Sequence, residues 1–212
     1  MDVNGTITAL LNRLTIFSSG EERVAHIEEV EEIANNLSLM KDFSPETAVR
    51  CCADFEAAIA AGELDTVAVT SLVLANSCIG DDQRIRWALL ADSRIVAAVQ
   101  DFFGKYVSPA AATTTPATKP SPSLLKQTTK ATFHVLDLVA TLSTNNGDFR
   151  SVFRETLPGV VNSIRCFKTS LDVLFAASCT VATLTIADTL NGKEVVQCNG
   201  MQVMLEVFKY CA

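Results

Sequence analysis

The sequence predicts an all-helical protein, on three observations. Apolar residues recur at spacings of three and four along most of the chain. Short turns marked by Gly, Pro, Ser and Asn separate these stretches, and none alternates apolar with polar as a half-buried strand does. The composition is globular, with 49% of the 212 residues apolar and 19% charged, too apolar for a disordered chain. A chain of this length buries roughly 70% of its extended surface, enough for a core without disulfides or metals. Length alone suggests one large domain or two small ones.

The elements follow in order. Across residues 21–37, Val24, Ile27, Val30, Ile33, Ala34 and Leu37 form one helical stripe, with Glu28, Glu29, Glu31 and Glu32 on the other faces. Ser44-Pro45-Glu46 opens a second helix: the Ser hydroxyl can cap free N–H groups, and Pro suits the first helical position. Its stripe is Val49, Cys52, Phe55 and Ile59, and Gly62 closes it. A third helix is predicted over about 65–79, followed by the turn Gly80-Asp81-Asp82. Further helices are predicted over 84–90, 93–103, 124–143, 149–155, 158–167, 170–190 and 201–210. Within them, residues 173–187 carry no charge. That run is too short for a membrane span, which needs ~20 apolar residues, and includes Ser178, Thr180, Thr183 and Thr185. It predicts a helix buried on all sides. Residues 108–123 differ, with four prolines among Ser and Thr. They read as a flexible loop inserted in a single helical domain spanning 1–212. Ser108-Pro109, Thr115-Pro116 and Ser121-Pro122 are candidate proline-directed phosphorylation sites, of a kind common in loops.

Charge is uneven. Residues 1–107 hold 17 acidic and 8 basic side chains, residues 108–212 hold 7 and 9, and the whole chain carries −7. An acidic surface disfavours a nucleic-acid backbone as partner and favours basic ones, although it also serves simply as a solvated face. The seven cysteines are irregularly spaced with no Cys-x-x-Cys, which fits reduced thiols packed in helices and a cytoplasmic setting. The N-terminal residues lack a basic, apolar leader, and Asp2 excludes myristoylation.

A small-residue core recurs: Ile33-Ala34-Asn35, Leu74-Ala75-Asn76, Val139-Ala140-Thr141 and Ile186-Ala187-Asp188. After each come a polar turn, a short helix and an apolar helix. The longest interval between cores contains the Pro/Thr-rich loop. This pattern resembles the armadillo/HEAT repeat superfamily, whose period is ~40–47 residues. The resemblance implies a right-handed α-solenoid of about four repeats, with an irregular helical bundle as the alternative. It also implies a concave groove in which an Asn of each third helix holds a partner peptide's backbone, an amide being able to donate and accept at once. Asn35, Asn76, Thr141 and Asp188 stand at those places. In nuclear-import members a Trp precedes the Asn by four residues; here Glu31, Leu72, Asp137 and Leu184 stand there, which disfavours that role. The expected partner-binding set is Asn35, Leu72, Asn76, Asp137, Thr141, Leu184 and Asp188, and the expected partner is a protein or peptide, basic if the acidic positions are used. For each polar position the plainer reading is helix capping or solvation.

The last helix is apolar at Met201, Met204, Leu205 and Phe208. A solenoid requires a polar cap on its terminal repeat. These residues are therefore expected to meet a second copy, a partner or a continuation of the chain. No phosphate loop, nucleophile elbow or metal-ligand spacing is present, His26 and His134 have no His or Cys at ligand spacing, and neither catalysis nor a cofactor is expected. Adjacent Cys51 and Cys52 suggest an oxidation sensor less readily than one packed and one half-exposed thiol.

Overall fold

The computed structural model describes residues 2–16, 21–79, 83–107 and 121–211. Among the described residues every regular element is helical. They fall into two compact units, Met1–Ile95 and Val96–Ala212.

The first unit contains α1 (Val3–Ile16), α2 (Glu21–Asn35), the single turn α3 (Leu37–Met40), α4 (Pro45–Ala61), α5 (Leu64–Ser77) and α6 (Gln83–Asp92). Helix α1 lies outside every predicted helix. Ser44 caps α4 through the Thr47 amide, and Gly62 ends it at φ 78°, in the left-handed region that glycine enters without strain. Helix α5 is the core of this unit, buried nearly throughout and packed on both α2 and α4. Its Thr70 and Ser71 hydroxyls each donate at 2.7 Å to backbone carbonyls one turn earlier, so they enter the core already satisfied. Along α2, Ile27, Val30, Ile33 and Ala34 are buried as expected, whereas Val24 is exposed. Arg23 ties three helices together. It donates to the Leu14 carbonyl at the end of α1 and to Glu63 and Thr66 at the start of α5.

Helix α7 (Arg94–Tyr106) follows α6. The second unit continues with α8 (Pro122–Ser143), α9 (Gly147–Val152), a 3-10 turn (Arg154–Thr156), α10 (Leu157–Cys166), α11 (Leu171–Thr185), α12 (Thr189–Gln197) and α13 (Gly200–Cys211). Most of the predicted 108–123 loop lies outside the described residues. Its end does not: Ser121 caps α8 through the Leu124 amide, and Pro122 is the first helical residue.

The helix predicted over 170–190 is two helices. Ala187 adopts φ 54° and Asp188 then caps α12, so the chain turns where the sequence reads as continuous helix. The same device ends α8, where Asn145 adopts φ 54° and Asn146 caps α9. These junctions lie 42 residues apart, and a long, a short and a long helix occur in each set: α8, α9, α10 and α11, α12, α13. The sequence pairing of Val139–Leu142 with Ile186–Thr189 is thus out of register. The former lies inside α8, and the latter spans the junction. Gly159 of α10 meets Phe103 of α7 closely enough that an added Cβ would stand 2.6 Å from the ring carbon, so only glycine fits there.

Candidate functional site

Helices α8 and α11 make the most extensive helix pair of the second unit. The Thr180 hydroxyl of α11 donates to the Leu136 carbonyl of α8 at 3.0 Å and to its own Ala176 carbonyl at 2.7 Å. The side of α8 around Leu136 therefore lies against α11.

Asp137 and Thr141 sit one turn apart on α8, both half-buried. Burial raises the Asp137 carboxyl above its ordinary value, and no hydrogen bond or ion pair joins it to a described residue. The other expected binding residues do different work. Leu72 and Leu184 point into the cores, at 7% and 0% exposure. Asn76 donates to the Ala34 carbonyl at 3.0 Å, tying α5 to the last turn of α2. Asp188 accepts from the Leu190 and Asn191 amides and pairs with Arg154 at 3.7 Å. Asn35 is exposed at the end of α2. Of the expected assembly residues, Met201 and Leu205 are exposed one turn apart and Met204 is half-buried, while the Phe208 side chain lies outside the described residues.

Helix α11 is not buried on all sides. Val173, Leu174, Ala176, Ala177, Thr180, Val181 and Leu184 face the core. The opposite side carries Leu171 and Phe175, each 71% exposed, then Cys179 and Ala182, and just past the helix Ile186 at 60%. The 42-residue relation explains the asymmetry. It carries Thr129, Phe133, Leu136 and Ala140 of α8 onto Leu171, Phe175, Ser178 and Ala182 of α11. On α8 these positions are buried or half-buried; on α11 each is more exposed. The open stripe is the counterpart of the face of α8 around Leu136, whose carbonyl accepts from Thr180 of α11. In the sequence the charge-free run pointed the other way, to a helix buried on all sides.

The second residue missed in the sequence is Asn191, which is fully buried. Its Nδ2 donates to the Arg150 and Leu184 carbonyls, both at 2.8 Å, and its Oδ1 accepts from Arg154 Nε at 2.8 Å. This knot fixes the α11–α12 junction against α9.

Models of protein families, curated proteins and solved structures give no match to this chain. Among the described residues no three His, Cys, Asp or Glu side chains converge as a metal site would require, and no helix is long and apolar enough to cross a membrane.

Proposed function

We propose that this chain is a non-enzymatic interaction module, an α-solenoid of about four armadillo-like repeats, that holds a segment of a protein partner on the open face of α11. The observation that carries the reading is the open stripe of α11: two large side chains left 71% exposed on a helix whose neighbour α8 has the equivalent positions buried or half-buried. Scattered apolar residues are normal on a surface, whereas a contiguous apolar strip marks a binding face. The recurring long, short and long helices support the solenoid, and such folds bind along extended surfaces.

The test uses the purified chain as bait beside Phe175→Asp and, as a control on the first unit, Val24→Asp. Partners identified by mass spectrometry should be lost with the first variant and kept with the second. Equal recovery with both would overturn the reading.

The exposure of Met201 and Leu205, one turn apart on α13, favours a second reading in which the chain assembles through that helix. Met201→Glu with Leu205→Glu should then change its mass in solution and leave the partners bound at α11 untouched.

A further inference from the structure

Helices α10 and α13 pack against each other and leave beside their contact a cavity of about 540 Å³, lined by no residue of α11. Its floor is apolar: Ile164 near the end of α10, with Val203 and Val207 one turn apart on α13. Ile164 and Val203 are buried and Val207 is half-buried. Its rim is charged and mostly of one sign, with Arg165, Lys168 and Lys209 against Glu206. That one carboxylate already accepts from the Gln202 amide at 3.2 Å. None of the three cations pairs with a carboxylate of a described residue. Arg165 is also held in place. Its Nη1 donates to Asn162 Oδ1 at 2.7 Å and its Nη2 to the Cys198 carbonyl at 3.1 Å. Both acceptors are neutral, so they fix the guanidinium at the rim and leave its charge uncompensated.

Size and chemistry together select an occupant. Small-molecule sites span about 300–1,000 Å³, with apolar walls and a few polar groups that orient the ligand. An apolar body gains by covering the valine and isoleucine floor. An anionic end gains from the three cations, whereas a cationic one meets like charge. We infer that this cavity binds a small anionic amphiphile, an apolar chain ending in a carboxylate. The chain lies over Ile164, Val203 and Val207. The carboxylate sits among Lys168, Lys209 and the N–H groups that Arg165 has left over from its two bonds. The inference is independent of what covers α11.

The experiment titrates the full chain calorimetrically with dodecanoate, below its micellar concentration. One saturable site should appear. Acetate, the head without the tail, should give none. Dodecyltrimethylammonium, a cationic head on the same tail, should bind at least about tenfold more weakly. Lys168→Glu joined with Lys209→Glu should weaken dodecanoate at least about tenfold, because two attractions become repulsions. Val207→Phe, which fills the floor, should weaken it too. Phe175→Asp on α11 and Lys193→Glu on α12 should leave it unchanged. Lys168 and Lys209 are exposed, so helicity and melting serve as the folding control for their reversal. No saturable binding by the wild type, equal affinity for the two heads, or binding that survives the double reversal would overturn the inference. So would loss of binding with Phe175→Asp, which would place the ligand on α11 instead.

Discussion

At Asn191 a single amide closes two backbone carbonyls and one guanidinium N–H. Asn191→Ala removes all three bonds at a buried site, and should lower stability by about 3 kcal/mol, read by urea denaturation. Asp137 works the other way. Its carboxyl is raised by burial, so the charged form costs stability at neutral pH, and that cost disappears as pH falls through the raised value. Asp137→Asn should therefore melt above the wild type at neutral pH, with the gap closing in acid below the ordinary carboxylate range. Neither role was legible in the sequence. Asn191 takes its meaning from a carbonyl 41 residues earlier, and Asp137 from how far α8 is covered. Asp188 and Asn76 were noticed for the right chemistry, polar side chains that engage backbone, but the backbone they engage is the chain's own.

Helix ends were legible where the signal is local. Ser44-Pro45 and Gly62 behave as their chemistry demands, because capping and left-handed φ depend on a few adjacent atoms. The break between α11 and α12 was not, because Ala187 occupies a left-handed position that sequence usually marks with Gly or Asn. Ala187→Gly should relieve that conformation and, after the greater freedom of the unfolded chain is offset, raise stability by about 0.5–1 kcal/mol. A shift of the denaturation midpoint to lower urea would refute it. The stripe predicted over 21–37 was too generous at both ends, with Val24 exposed and Leu37 beyond α2 in α3, and α1 was missed outright.

For the whole molecule, the helical class was legible because periodicity repeats along almost every segment. The division into two units was not, since no Pro- or Gly-rich linker marks the boundary at residue 95, and the change in charge balance along the chain did not locate it. The cysteines give a measurement at this scale. Cys51, Cys52 and Cys78 are buried free thiols, and Cys166 and Cys179 are exposed. Burial pushes the Cys51 thiol far up and that of Cys52 up to about 12. Iodoacetamide should label Cys166 and Cys179 in the native protein and reach Cys51, Cys52 and Cys78 only above the unfolding midpoint. Adding a reductant should leave the melting temperature unchanged. The charge-free run that forms α11 has one more consequence, felt when the fold is lost. Residues 173–187 contain no Pro, Gly or charge and many β-branched side chains. Released from the helix, such a stretch has the makings of a cross-β zipper with no gatekeeper inside it. The protein's lifetime in a warm cell is then governed by how rarely this one helix lets go, a kinetic protection rather than an equilibrium one.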